Sequence, residues 1–561
     1  MPSLRTAIRS VLATALLAAP LGAQERAEDA PPPIALTADQ WRADLDSMMS
    51  GLGHLHRNLH HAVSPASLDS AVAAVRARIP GLARHQVIME FARLVALVGD
   101  GHTSVAPTRD AAIGFRELPI ALYRFDEGLF VRAARADVAD LAGARVLKIG
   151  DVAAEDAVAR TMPYIGRDNA MGALFFAPHL LVMPEVLHAL GLSPSPDSAR
   201  FELEVGGGRR TVWLRAAGPA PRMLPDTDRS WRARAGWVDA RDAAPGPDPM
   251  WLREPPDSVL WWFTTVPGTT AVYAQINQVR DDEHERFEQF VARLLERLDR
   301  EPVERLVLDL RLNRGGNGEL LEPLVRGLLR RPQVNTRGRF FVLMGRSTWS
   351  AAQFLVDDLA SFGEVVFVGE PSGSKGNHYG DSRPVRLPNS GITVRASTLW
   401  WQHWHPEDTR QWLAPDLAAP LTFAAYRAKR DPALDAALKW RVRPPLADTL
   451  VTLLARGDTA AARAQVAAVR RDSVTRYADV LGALQEAGAR LYRRHEVPHA
   501  AEAFVLAGSE YPDAASAHLR AGLVLAELGR VPEARRELER ALELDPGSRT
   551  ARESLRTLAG R

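Results

Sequence analysis

The hydrophobic and polar positions of this chain change their period several times between the two termini. From about residue 37 to 99 the apolar residues recur every three or four positions, which predicts helices up to the glycine-rich break 99–103. From about 116 to 217 the apolar runs are short and bounded by turn residues, which predicts strands around a helical insertion at about 164–192. We therefore expect a helical region followed by a small β-rich region.

Strands and helices alternate after a polar, proline-rich passage at about 218–258. An apolar stripe with helical spacing runs from Phe287 to Leu298, between two of the predicted strands. Strands that alternate with helices in units of about 30 residues predict a layered α/β domain. The predicted strands are 271–276, 306–312, 340–344 and 365–368.

The chain repeats itself after about residue 446, where the pattern is helical. Four pairs of identical residues are each 34 positions apart, and 34 is the period of tetratricopeptide repeats. The pairs are Pro498 and Pro532, Ala500 and Ala534, Ala507 and Ala541, and Pro512 and Pro546. This tail resembles tetratricopeptide repeats, which implies a surface for a protein partner. An ordinary alanine-rich helical bundle is the alternative.

Length and composition exclude several classes of protein. At 561 residues the chain exceeds what one hydrophobic core supports, so it has several domains. Lys and Arg number 70 against 68 Asp and Glu, and this balance gives no electrostatic case for binding nucleic acid or an anionic membrane. The absence of cysteine excludes disulfides, thiolate metal sites and a cysteine nucleophile.

The N-terminus has the pattern of a secretory signal peptide at 1–23. Arg5 and Arg9 give a positive start, and a short apolar stretch from Val11 to Leu21 precedes small residues suited to cleavage. A retained membrane anchor is the alternative, but a spanning helix needs about 20 apolar residues. We expect an exported protein, periplasmic or secreted, with no membrane span after cleavage.

A serine and a lysine suggest hydrolytic chemistry. Ser350 opens a predicted helix after a glycine-containing turn, and Lys375 lies in a glycine-rich loop 25 positions later. A serine hydroxyl becomes a nucleophile when a neighbouring base takes its proton, and a desolvated lysine or a histidine can serve as that base. A structural N-cap is the alternative for Ser350, and Ser347 is the second candidate nucleophile.

Two glycines could complete such a site. Gly315 and Gly316 follow the predicted strand 306–312, and their backbone N–H groups can approach a substrate closely. With the N–H of Ala351 they would form an oxyanion hole. A plain strand-to-helix turn is the alternative.

Three motifs in this order resemble the tail-specific, or C-terminal-processing, serine peptidases, in the branch related to tricorn protease and interphotoreceptor retinoid-binding protein. The motifs are 99–103, 309–316, and 347–352 with 369–381, and the resemblance spans about 37–436. It implies a multidomain α/β protein with a crotonase-like ββα catalytic core. The implied units are an N-terminal helical domain at 24–112, a PDZ-like or other β-rich spacer at 113–218, the catalytic domain at 219–436 and the repeats at 446–561.

The resemblance also implies roles for single residues. Ser350 corresponds to the nucleophile, Lys375 to the base of the processing peptidases, and His102 to the base of the tricorn-like enzymes; the sequence leaves the choice of base open. Asp408 lies near the acid that orients the base, with Glu407 as a competitor. A surface ion pair with Arg410 is the alternative for Asp408.

The leading functional hypothesis is a serine endopeptidase that cleaves polypeptides without a cofactor. A non-catalytic binding or scaffold protein on the same fold is the alternative. A metal site is not expected, although four histidines cluster near the N-terminus, because Arg57 stands where a zinc protease carries its glutamate. The histidines are His54, His56, His60 and His61. Four tryptophans line a substrate groove or belong to the core: Trp400, Trp404, Trp401 and Trp412.

Overall fold

A computed structural model describes most of the chain beyond its first 34 residues. The described residues are 35–107, 110–219, 231, 234–255, 258–406, 408 and 410–559. The expected signal peptide at 1–23 and the candidate acid Glu407 lie outside them.

The first part of the chain combines helices with an antiparallel sheet. Helix α1 begins after Thr37, whose side chain accepts a hydrogen bond from the Gln40 N–H in a reciprocal capping box. The helices are α1 (Ala38–Leu55), α2 (Pro65–Arg78), α3 (Arg84–Ala96), α4 (Ala154–Thr161), α5 (Ala170–Leu180) and α6 (Pro184–Ala189). The strands are β1 (Arg116–Glu117), β2 (Ile120–Phe125), β3 (Gly128–Arg135), β4 (Arg145–Ile149), β5 (Val152–Ala153), β6 (Ser198–Val205), β7 (Gly208–Arg215), β8 (Gly218–Pro219) and β9 (Trp237–Asp239). The main sheet has the order β2-β3-β4-β6-β7, with β5 beside β4 and β9 beside β3, and β1 pairs with β8.

The second part is a layered α/β domain, as the alternating pattern predicts. Its helices are α7 (Met250–Arg253), α8 (Phe287–Arg300), α9 (Glu322–Leu329), α10 (Ala351–Phe362), α11 (Phe423–Arg427) and α12 (Pro432–Lys439). Its strands are β10 (Trp261–Thr265), β11 (Val272–Ile276), β12 (Leu306–Asp309), β13 (Phe340–Met344), β14 (Val365–Gly369), β15 (Asn377–Arg386), β16 (Thr393–Gln402) and β17 (Leu417–Ala418).

The six-stranded sheet of this domain is covered on both faces. Its order is β10-β11-β12-β13-β14-β17, in which β10 is an antiparallel edge strand and the other pairs are parallel. Every residue of β11 to β14 is buried, because α8, α9 and α10 pack on one face and α12 on the other.

The long hairpin of β15 and β16 links this domain to the N-terminal helices. Its distal residues Leu387, Ile392 and Val394 belong to the same buried cluster as residues of α1, α3 and the antiparallel sheet, and Val385 packs against Gly51 of α1. The described residues of the segments 24–112 and 113–218 therefore share one hydrophobic core, to which the hairpin of the segment 219–436 contributes.

The tail is a series of helices from α13 to α19. They are α13 (Leu446–Leu454), α14 (Thr459–Arg471), α15 (Val480–Arg493), α16 (Val497–Glu510), α17 (Ala515–Glu527), α18 (Val531–Leu544) and α19 (Arg549–Ala559). Small buried residues at the helix contacts, such as Ala500 and Ala534, let neighbouring helices approach closely. No helix in the described part of the chain is both long and apolar enough to cross a membrane.

Candidate active site

Ser350 adopts a strained backbone conformation in the turn between β13 and α10. Its φ of 57° and ψ of −126° lie in a region that residues other than glycine rarely occupy. Hydrogen bonds hold the turn: the Trp349 N–H donates to the Asn313 carbonyl (3.1 Å) and the Gln353 N–H to the Ser350 carbonyl (2.7 Å). A strained serine at a sharp strand-to-helix turn is typical of a nucleophile that must present its hydroxyl above a sheet.

His102 lies beside this serine although 248 positions separate them in the chain. The distance from His102 Nε2 to Ser350 Oγ is 3.1 Å, within hydrogen-bond range. The imidazole is stacked on the indole of Trp349 (3.8 Å between centroids, 15° between planes) and is parallel to the ring of His378 (5.5 Å, 5°). These flat contacts fix the plane of the imidazole so that Nε2 faces the serine.

Asp100 holds the loop that carries His102. Its Oδ1 accepts hydrogen bonds from the backbone N–H groups of His102 (2.8 Å) and Thr103 (2.7 Å) and from the Ser397 hydroxyl (2.8 Å). Its Oδ2 lies 2.8 Å from Nε2 of His56. Burial alone would raise the pKa of Asp100, but the hydrogen bonds from His56 and Ser397 outweigh it and lower the pKa. The carboxylate thus stays charged and keeps the loop in place.

Asp168 joins the histidine loop to the serine turn, a role that the sequence did not suggest. Its Oδ1 accepts the Gly101 N–H (2.8 Å) and its Oδ2 accepts the Ser374 hydroxyl proton (3.0 Å). The Ser374 oxygen in turn accepts the Ser350 N–H (3.3 Å). Burial raises the pKa of Asp168. The sequence signal was weak, since this acid looks like a capping residue before α5.

The glycine turn after β12 lies directly against the serine. A Cβ on Gly315 would lie 2.7 Å from the Ser350 Cβ, so only glycine fits there, and its φ of 102° also favours glycine. The Gly315 N–H already donates to Asn313 Oδ1 (2.9 Å). Within the described residues, the N–H groups of Gly316 and Ala351 make no hydrogen bond. Two of the three predicted oxyanion donors are therefore available.

Lys375 does not reach the serine in this structure. Within the described part of the chain its ammonium group makes no hydrogen bond or ion pair, and its carbonyl accepts the Nδ1–H of His378 (2.8 Å). Its side chain lines a cavity of about 290 Å³ together with Trp404 and Trp412. Of the two candidate bases, His102 is the one within hydrogen-bond distance of Ser350.

Asp408 is paired with Arg410, as the alternative interpretation has it. The Arg410 guanidinium donates to both carboxylate oxygens of Asp408, with distances of 2.6 Å to Oδ2 and 3.1 Å to Oδ1. No hydrogen bond between Asp408 and His102 is present among the described residues. The same guanidinium lies over the indole of Trp404, 3.9 Å from its centroid. The structure thus does not bring Asp408 to the base.

The other candidates of the sequence occupy supporting positions. Ser347 is buried, and its hydroxyl makes no hydrogen bond with the described residues. Trp401 packs on Phe354 of α10, and the half-exposed Trp400 packs on Tyr379. Trp404 packs closely over Gly376, where a Cβ would overlap its indole.

Metal-binding groups are few in the described chain. Asp282, Glu283 and His284 have ligand atoms within 4.8 Å of one another, but they are consecutive residues and two of them are exposed. The clustered histidine His56 is engaged with Asp100. None of these groups lies at the serine.

Comparison with solved structures shows which proteins have a similar fold. The chain is similar in structure to mature CPAF, solved in complex with lactacystin, with 13% sequence identity and a TM-score of 0.50 over 72% of this chain and 98% of CPAF. The photosystem II D1 C-terminal processing protease also aligns, with 16% identity and a TM-score of 0.32 over 71% of this chain and 98% of that protein. No curated protein matches the sequence.

The tail matches the tetratricopeptide repeat family at residues 515–548, which comprise α17 and α18. The predicted fold class is therefore confirmed: a multidomain α/β protein with the fold of CPAF and a helical repeat tail.

Proposed function

We propose that this protein is an exported serine peptidase that hydrolyses peptide bonds through an acyl-enzyme at Ser350, with His102 as general base. The observation that carries the proposal is the 3.1 Å contact between His102 Nε2 and the hydroxyl of a strained serine. The fold shared with CPAF supports the same class of reaction. The N-terminal charge and hydropathy pattern supports export.

The proposed reaction uses groups of this chain alone. As Ser350 Oγ attacks the substrate carbonyl, its proton passes to His102 Nε2, and the imidazolium then protonates the leaving amine. The developing oxyanion accepts hydrogen bonds from the N–H groups of Gly316 and Ala351, and one such donor is worth about 3 kcal/mol in the transition state. His102 then activates the water that releases the acyl group.

Two features favour His102 over Lys375 as the base. An imidazole is largely neutral at pH 7 because the ordinary pKa of histidine is about 6.5, whereas a lysine must first lose its proton. The parallel ring of His378 adds no positive charge beside His102, because burial lowers the pKa of His378. The imidazolium that forms during the reaction therefore meets a neutral neighbour.

A fluorophosphonate probe tests the nucleophile. We expect the wild-type protein to be labelled, Ser350→Ala to be unlabelled, and the matched control Ser347→Ala to be labelled as the wild type is. Cleavage of an unfolded protein such as β-casein should follow the same order. Absence of labelling and cleavage in the wild type would indicate the alternative, a binding protein on a peptidase fold. Equal labelling of Ser350→Ala would exclude Ser350.

A further inference from the structure

A large cleft separates the repeat tail from the α/β domain. Its volume is about 1010 Å³, at the upper end of the range for small-molecule pockets. One wall is the segment 410–417 with Trp440, and the other is formed by α14, the residues 475–481 and Tyr511 of the tail. We refer to this space as the interdomain cleft.

The walls of the interdomain cleft are fixed to one another. Val474, in the turn after α14, packs against the buried cluster that contains Leu417 of the six-stranded sheet. The Arg476 guanidinium donates to both carboxylate oxygens of Asp126, at 2.7 and 3.2 Å. The tail is thus docked on the α/β domain through Val474 and on the antiparallel sheet region through Arg476.

The lining suits a polypeptide without a particular charge. Arginines at the cleft are matched by acids: Arg337 pairs with Asp416 (2.8 Å), and Arg443 lies 3.6 Å from Asp472. The remaining lining includes aromatic and aliphatic side chains together with paired prolines. Apolar and aromatic surface with neutralised charges favours an extended, unfolded chain over a strongly charged ligand.

The cleft shares a wall with the cavity beside Lys375, near the candidate active site. Residues 410–413 line both the interdomain cleft and the cavity beside Lys375, which His378 and Asp100 also border. The Asn169 side chain donates to the carbonyls of Gln411 (2.8 Å) and Ser372 (3.1 Å). The wall shared by the two cavities is therefore tied to the loop whose Ser374 accepts the Ser350 N–H.

From this shared wall and from the charge-balanced lining we infer that the interdomain cleft is an exosite that binds an extended segment of the polypeptide substrate, remote from the bond that is cleaved. The inference rests on the proposed peptidase function. A chain that lies in the cleft and crosses residues 410–413 enters the cavity that His378 borders, and the ring of His378 lies 5.5 Å from that of His102. The tail would then select substrates by length, because long unfolded chains bind in the cleft and short peptides do not.

Single cysteine substitutions provide a test, because the natural chain contains no cysteine. Ala468 of α14 is exposed and lines the cleft, whereas Ala460 of the same helix lies outside it, about 12 Å along the axis. The variants Ala468→Cys and Ala460→Cys are each assayed before and after reaction with fluorescein maleimide. The unlabelled variant is the folded reference for its labelled form, and circular dichroism verifies that labelling leaves the fold intact.

Two substrates separate the exosite from the catalytic site: β-casein, and a six-residue quenched peptide that contains one of its cleavage sites. We expect labelling of Ala468→Cys to lower kcat/KM for casein at least tenfold, mainly through KM, with less than a twofold change for the peptide. Labelling of Ala460→Cys should change neither value more than twofold. The exosite proposal would be overturned if labelling of Ala468→Cys left kcat/KM for casein unchanged, or lowered kcat/KM equally for both substrates.

Binding to the inactive Ser350→Ala protein separates this inference from the proposed function. Each cysteine substitution is introduced into the Ser350→Ala protein, and the fluorescence anisotropy of dye-labelled β-casein reports its binding. Reaction with a non-fluorescent maleimide should weaken binding at least tenfold in the protein that carries Ala468→Cys. The same reaction should leave binding unchanged in the protein that carries Ala460→Cys. If the wild type cleaves no substrate but this binding pattern holds, the peptidase proposal fails and the cleft remains a polypeptide site. If casein is cleaved but binding is insensitive to the label at position 468, the exosite fails alone.

Discussion

Single hydrogen bonds distinguish His102 from the other candidate residues of the site. His102 contacts Ser350 Oγ, whereas Lys375 and Asp408 point to other partners or to the neighbouring cavity. Ser350 and His102 were candidates from the sequence because each lies in a recognisable motif. The sequence could not choose between two bases, because that choice depends on which side chain the fold turns toward the hydroxyl.

Removal of the two candidate bases should have unequal effects. We expect His102→Gln to lower kcat by about 10³-fold, since general-base catalysis contributes about 10²–10⁴-fold. Lys375→Met should retain kcat within about fivefold. Because the base must be neutral, kcat/KM of the wild type should fall as the pH is lowered, and Lys375→Met should keep this profile. Steady-state kinetics from pH 5 to 9 measure both effects; the reverse order would assign the base to Lys375.

Asp168 and Ser374 should act as a unit on Ser350. In Asp168→Asn an amide N–H₂ can face the Ser374 hydroxyl, which then loses its acceptor and holds the Ser350 N–H less well. We expect Asp168→Asn and Ser374→Ala each to lower kcat about tenfold while KM changes little. The double variant should be no worse than the poorer single variant, because residues of one network are not additive. Additive losses in this double-mutant cycle would show that the two residues act separately.

At the scale of elements, the sequence predicted the strands whose hydrophobic pattern follows from burial alone. Strands β11 to β14 are buried on both faces and read as continuous apolar runs, such as 340–344. The hairpin of β15 and β16 was missed, because its strands mix charged, aromatic and glycine residues and one end packs on distant helices. Its register depends on partners far away in the chain, which local periodicity does not record.

Helix α10, which follows Ser350, carries a buried acid that should make the stability of the protein depend on pH. Burial raises the pKa of Asp357 to about 7, although hydrogen bonds from Trp404 and Gln353 and the charges of His403 and Arg410 oppose the shift. The pKa of Asp357 in the folded protein lies above its unfolded value of about 3.9. The contribution of Asp357 to the free energy of unfolding is therefore fully present below pH 4 and is lost as the pH rises toward 7.

Asp357→Asn should remove this dependence on pH. The loss attributable to Asp357 in the wild type is of the order of 4 kcal/mol between pH 4 and 7, from about 1.4 kcal/mol for each pKa unit. Urea unfolding at pH 4, 5.5 and 7 measures it, and Asp358→Asn on the same helix, at a more exposed position, is the matched control. Parallel pH dependence in the wild type and Asp357→Asn would contradict the assignment.

At the scale of the whole molecule, the repeat tail packs against the rest of the protein through Val474 and Arg476. The sequence predicted the repeats from their period but gave no sign of their docking, because Val474 and Arg476 lie in an unremarkable loop between helices. The docking contact is mainly apolar, since an ion pair as exposed as Arg476 with Asp126 contributes at most about 1 kcal/mol.

Val474→Asp should therefore release the tail. A charge buried against the α/β domain is unfavourable, so we expect a larger radius of gyration by small-angle X-ray scattering and faster proteolysis between α12 and α15. Val442→Asp, at a position that is 80% exposed, is the control and should leave both measurements unchanged. Hydrolysis of short peptides should persist in both variants, and an unchanged radius for Val474→Asp would show that other contacts hold the tail.

The separation of 248 positions between His102 and Ser350 has a consequence for biosynthesis. The ribosome completes the histidine loop long before the serine turn, and the loop is held by Ser397 and Asp168 from two other parts of the chain. A growing chain thus holds a base without a nucleophile, and later a nucleophile without a formed site. Under the proposed function, hydrolytic activity begins only after nearly the whole α/β domain has folded, which protects the nascent protein from cutting itself.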